Sequence, residues 1–325
     1  MKKTLMRTVL AAAAAGLSLT TVVTATQASA ATPPLSEARI VSHFDLAKGQ
    51  MPENAVIEPN GSLDVTFAGA RQVARIGRDG TARVLATLPA PSDGGVHTPA
   101  LGFPLTTGLV RAPDGTLYVL YATGTADLTG LWRLRPGSST PERIAALPAD
   151  GLPNGLAYDA RSQAFYITDS VLGTVWSVPA GGGHATAWST APELAAQGFL
   201  GVNGAQVHDG ALWVTNLDRG TVLSLPIGRD HRAGAPEVRA TGLAGIDDFT
   251  FTGRGTEILA ALDVPDQVVR IAADGTSSVV LDASDGLQNP TTVAVRGTDV
   301  YVPSAAYLTA TDPNLLHARL DRHAR

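Results

Sequence analysis

The stretch Asn154-Gly155-Leu156-Ala157-Tyr158, followed after a polar turn by Phe165-Tyr166-Ile167, joins a polar residue, an apolar strand, a turn and a second strand with an aromatic core. The same phrase recurs along the chain. Upstream it reads Glu53-Asn54-Ala55-Val56-Ile57 with Leu63-Asp64-Val65, then Thr107-Gly108-Leu109-Val110 with Leu117-Tyr118-Val119. Downstream it reads Asn203-Gly204-Ala205-Gln206-Val207 with Leu212-Trp213-Val214, and Asp247-Asp248-Phe249-Thr250-Phe251 with Ile258-Leu259-Ala260. Thr291-Thr292-Val293-Ala294-Val295 with Val300-Tyr301-Val302 is the sixth copy.

The leading polar positions lie 54, 47, 49, 44 and 44 residues apart, room for four short strands and their turns, as in one blade of a β-propeller. Third strands share one alternating pattern: Val73–Ile76, Leu131–Leu134, Val175–Val178, Val222–Leu225 and Val268–Ile271. The sixth copy lacks a fourth strand after Leu316–Leu320, while Ala38–Phe44 lies ahead of the first copy without a partner. The expectation is an all-β, six-bladed propeller in which the N-terminal strand completes the last blade and closes the ring, removing an exposed sheet edge. Two sandwich domains would leave the repeated polar slot without a reason.

Composition narrows the function. There is no cysteine, so disulfides, thiolate metal sites and cysteine nucleophiles are excluded, and a metal must sit on oxygen or imidazole. A formal charge of -5 with 16% charged residues offers no basic stripe for a phosphate backbone, which argues against nucleic acid as a partner. Lys2, Lys3 and Arg7, the apolar run from Thr8 to Ala25 and Ala28-Ser29-Ala30 read as an export signal over residues 1–30. The expected mature protein is therefore a single secreted domain, residues 31–325, extracellular or in the cell envelope. No later segment is apolar enough to span a bilayer.

First strands line the channel of a propeller, so the six slots Glu53, Thr107, Asn154, Asn203, Asp247 and Thr291 should face one another. Two carboxylates and two amide carbonyls supply the hard oxygen donors that calcium takes; magnesium demands tighter octahedral geometry, and zinc lacks its usual ligands. Local turn bonding explains an Asn, Asp or Thr at any one slot. It explains Glu53 less well, and two carboxylates on one axis require a cation or a raised pKa.

The slots Pro52-Glu53, Pro153-Asn154-Gly155, Val202-Asn203-Gly204 and Ile246-Asp247 resemble those of the gluconolactonase and regucalcin family of six-bladed propellers, related to diisopropylfluorophosphatase, across nearly the whole mature chain. The resemblance implies a calcium site formed by Glu53, Asn154, Asn203 and Asp247, and hydrolysis of a lactone or ester. It also implies Asp247, or else Glu53, as the group that steers or deprotonates water. The sequence departs from the family pattern at Thr107-Gly108, at Asp247-Asp248-Phe249 and at Thr291. These departures leave the four positions of the implied cation site unchanged and bear on the sugar-lactone and phosphotriester specificities of the family. Two other readings stand beside it: a non-catalytic exported propeller with a structural calcium, binding a small molecule or cell-wall component, and a metal-free propeller enzyme resembling strictosidine synthase.

No serine-hydrolase elbow, zinc-protease helix or phosphate-binding glycine loop occurs. The long connections Pro89–Thr106 and Ser189–Val202 carry His97, Phe103 and Phe199, expected with Thr107 and Thr291 to border a substrate mouth. Asp169 and Asn216 read as turn caps at the far end of their blades. The chain is expected to be a monomer acting on a small molecule, off the membrane once the signal is removed.

Overall fold

A computed structural model describes residues 34–321; the export signal read over residues 1–30 lies outside them. Among the described residues twenty-four strands form six four-stranded antiparallel sheets, with three short 3-10 turns and no α-helix. Five sheets use consecutive strands, and their first strands are Pro52–Ile57, Leu105–Arg111, Pro153–Asp159, Val202–His208 and Ile246–Phe251. The sixth is built from Ala294–Arg296, Asp299–Ser304, Asn314–Leu320 and, on its outer edge, the N-terminal strand Leu35–His43. That strand runs antiparallel to Asn314–Leu320 from Leu35 opposite Leu320 to His43 opposite Asn314, so the ring closes as the repeat pattern requires. The first strands touch their neighbours all the way round and enclose the channel.

Alternation dictates how the blades stack. One face of each sheet packs on the blade before it and the other on the blade after it, so both faces are apolar, unlike a sheet wetted on one side. Six apolar clusters result, one at every blade interface. Leu120, Leu131 and Ala145 of blade two, for example, meet Leu156, Phe165, Ile167 and Val178 of blade three. Blade five meets blade six through Leu259, Val268 and Leu281 against Val293, Val300 and Leu316.

The slots occupy an irregularity that the repeat phrase conceals. Between Pro153 opposite Asp169 and Leu156 opposite Ile167, the first strand advances three residues while its partner advances two. The same one-residue bulge recurs at the slots of blades one, two, four and five. A bulge leaves a residue outside the ladder and re-aims side chains, which here turns the slots toward the axis. It also frees a backbone N–H that needs a partner. In blades one, three and four a threonine of the second strand supplies it. Thr66, Thr168 and Thr215 accept from Asn54, Gly155 and Gly204, and their hydroxyls donate to the slot carbonyls of Thr107, Asn203 and Asp247 in the next blade. Each threonine therefore ties one bulge to its neighbour.

Asp169 and Asn216 are caps as expected, but the pairing of Asp169 with Pro153 and of Asn216 with Val202 places both at the slot end of their blades. Antiparallel return brings the end of a second strand beside the start of the first. Asp169 Oδ1 accepts from the N–H groups of Leu152, Val171 and Leu172, and Oδ2 from the Trp176 indole. No helix among the described residues is long and apolar enough to cross a membrane.

Candidate metal centre

Glu53, Asn154, Asn203 and Asp247 stand at the starts of four first strands and are 8, 9, 2 and 6% exposed. Glu53 and Asp247 interact electrostatically across the channel, and the Asn203 amide is hydrogen-bonded to Asp247. Asn203 Oδ1 is buried and has no partner. A buried acceptor of this kind costs about 1–3 kcal/mol unless something else satisfies it.

Among the described residues no lysine or arginine offsets the two carboxylates. Burial pushes Glu53 up to about 8, where a Tyr307 hydrogen bond opposes further rise and Asp263 and Asp248 promote it. Burial likewise holds Asp247 well above the ordinary aspartate range, with Glu53, Asp263 and Asp248 adding repulsion. A divalent cation would remove both penalties and would use the free Asn203 oxygen. The donor set thus fits an oxygen-ligated ion of calcium type. Among the described residues no three of His, Cys, Asp and Glu gather as a metal cage, so a cation held here would need the amide oxygens of Asn154 and Asn203 as well.

Thr107 and Thr291 are buried differently from the other slots. The Thr107 hydroxyl donates to the Pro153 carbonyl at 2.8 Å, and Thr291 to the Pro52 carbonyl at 3.0 Å. Each ties its blade to the residue just ahead of the next slot, and each hydroxyl is spent on structure. His97 is on the surface, with Nδ1 2.8 Å from Asp93 of its own loop. Phe199 is 51% exposed. Phe103 packs instead on an apolar group formed by Leu105, Leu152, Leu200 and Tyr307 at the slot end of the blades.

Several residues at the centre belong to no repeat slot. Tyr307, from the irregular segment that follows Ser304, donates to Glu53 Oε2 at 2.6 Å and so fixes one oxygen while leaving the other free. Asn289 shapes that segment by accepting from the N–H groups of Leu308 and Thr309. Asp263, raised to about 7 by burial, adds a third carboxylate within electrostatic range. One residue below each slot lies a second ring. Asp248 Oδ2 there accepts from Asn54 at 2.8 Å and Thr292 at 3.2 Å, and Oδ1 from the Phe249 N–H. The three remaining positions are Gly108, Gly155 and Gly204, where an added Cβ would strike Asn154, Asn203 and Asp248 respectively. The second aspartate of blade five is therefore accommodated by glycine in blade four.

No family model and no curated protein matches the chain. Solved structures do. Regucalcin from Agrobacterium tumefaciens, a calcium-binding protein, is 16% identical with a TM-score of 0.64, covering 88% of this chain and 96% of its own. A protein put forward as a gluconolactonase is 15% identical with a TM-score of 0.63, covering 90% and 94%. Virginiamycin B lyase from Staphylococcus aureus is 14% identical with a TM-score of 0.59, covering 84% and 82%. The chain is a six-bladed β-propeller of the architecture that the regucalcin and gluconolactonase-type structures share.

Proposed function

We propose that this chain is an exported hydrolase of a lactone or ester that depends on a calcium ion held by Glu53, Asn154, Asn203 and Asp247. The observation that carries the reading is a buried, uncompensated pair of carboxylates beside an amide oxygen with no partner. The likeness in fold to a calcium-binding regucalcin and to a gluconolactonase-type protein supports it. The bound ion would polarise the substrate carbonyl and stabilise the negative charge that develops on its oxygen. Asp247, or alternatively Glu53, orients the attacking water and accepts its proton. The water oxygen bonds to the carbonyl carbon, the ester C–O bond breaks, and the proton passes to the departing oxygen. Tyr307 holds Glu53 in one orientation throughout.

A second reading has its own support. All four ligand candidates lie below one-tenth exposure, beside an apolar group to which Phe103 and Tyr307 belong. Such a site suits a structural calcium in a non-catalytic propeller that binds a small molecule or wall component on its loops. In either reading the protein is a secreted monomer whose partner is neither nucleic acid nor membrane.

One experiment separates the two. Calcium is titrated calorimetrically into wild type, Glu53→Gln and Asp247→Asn, and lactones and aryl esters are then screened with and without chelator. The hydrolase predicts binding weakened in both variants and chelator-sensitive turnover. Binding without turnover selects the structural calcium, and absence of binding removes the axial site from both readings.

A further inference from the structure

A concavity lies away from the channel, at the seam where the strands Leu35–His43 and Asn314–Leu320 close the ring. It is a groove of about 840 Å³ between blades six and one. Arg39 comes from the N-terminal strand, Arg319 and His317 from its partner strand, Arg296 from the end of the first strand of blade six, and Arg78 from a turn of blade one. Tyr301 is central to this group: burial and Asp299 raise its phenol above the ordinary value, opposed by Arg78, Arg39 and Arg319 acting from around it.

The charges do not cancel. Asp299 is taken by Arg319 at 2.7 Å and His317 at 3.0 Å. Arg296 donates to the Glu58 carbonyl. Among the described residues Arg39 and Arg78 have no carboxylate partner, and Glu37 is the remaining acid in the lining. His317 is 6% exposed, and its Nδ1 is buried without a partner. On a chain of net charge -5 this is a local positive basin. Its volume suits a small organic ligand, and guanidinium groups match oxyanions in geometry.

We propose that the seam groove binds a small organic anion carrying a phosphate or carboxylate group, with Arg39 and Arg78 as its principal contacts and Tyr301 as a further donor. Because the groove is made jointly by the first and last strands of the ring, a bound anion also favours the closed ring over the open chain.

The test is calorimetric titration with phenyl phosphate and with phthalate, one phosphate-bearing and one carboxylate-bearing, against chloride at equal ionic strength. Wild type is compared with Arg39→Gln, Arg78→Gln and the distant surface variant Arg232→Gln. Arg39 and Arg78 are exposed, so their removal leaves the core intact, and circular dichroism verifies folding. Saturable binding of either probe, weakened roughly tenfold or more in Arg39→Gln and Arg78→Gln but not in Arg232→Gln, is the expected result. Preference between the probes identifies the anionic group. Binding of neither probe, or binding equal in all four proteins, overturns the proposal.

Discussion

Changing pH tests the axial site through the protons that its carboxylates must release. Glu53 sits at about 8 without a cation, so near neutrality about nine in ten copies carry a proton. Asp247 is raised further. A divalent ion binds the ionised forms, and its apparent affinity must therefore fall as pH drops below about 8, tenfold per unit for one displaced proton and about a hundredfold for two. The same groups act on stability with the opposite sign when no ion is present. A carboxyl whose folded pKa exceeds its unfolded value stabilises the fold fully below the unfolded value and loses that contribution as pH rises through the folded one. The chelated protein should lose stability between about pH 5 and 8, and saturating calcium should restore it mainly at the upper end. Calorimetry in two buffers of different ionisation enthalpy counts the protons released. Glu53→Gln should reduce the count by one. Affinity unchanged across this range, with no proton release, would refute the argument that two uncompensated carboxylates form the site.

Other substitutions probe the supports of the ring. Tyr307→Phe removes the donor to Glu53 Oε2 and should lower stability by about 1–3 kcal/mol in denaturant titration, with altered calcium affinity. Gly155→Ala and Gly204→Ala place a methyl group against Asn203 and Asp248, and each should cost about 1–3 kcal/mol and weaken calcium binding by displacing its blade. Arg75→Met should lower the thermal midpoint sharply, because it strips buried Asp64 and Glu58 of a guanidinium they share at 2.6 Å; losses of about 3–5 kcal/mol follow when one side of such a pair is removed.

Blade number and ring closure were legible because they depend on periodicity. A repeated alternation every 44 to 54 residues and an unpartnered strand at Ala38–Phe44 are one-dimensional signals. The slots were legible for the same reason. Tyr307 was not, since it comes from the connection after Ser304, which is longer in blade six than in the other blades, and it reaches Glu53 across 254 residues. Asp263 escaped because it sits one residue beyond the second strand of blade five, outside the repeated phrase. The bulge is invisible in any single copy, since an extra residue in one strand shows only against its partner. Thr66, Thr168 and Thr215 did leave a trace, a threonine late in the second strand of three blades. Its meaning depends on knowing that a bulge N–H and a neighbouring slot carbonyl both face it.

Thr107 and Thr291 bear on how the ring divides its labour. Their hydroxyls bond to the carbonyls of Pro153 and Pro52, which precede Asn154 and Glu53. In the same way Thr168 and Thr215 bond to the carbonyls of Asn203 and Asp247 themselves. All four ligand candidates are therefore held by a threonine of the preceding blade acting on their own backbone or on the residue before them. Losing a ligand side chain leaves this backbone frame in place, whereas losing a threonine moves a ligand. Glu53→Gln or Asp247→Asn should thus weaken calcium binding with little change in the fold. Thr107→Val should lower stability by about 1 kcal/mol and weaken calcium binding through Asn154, a pairing of effects that direct substrate contact by Thr107 would not produce.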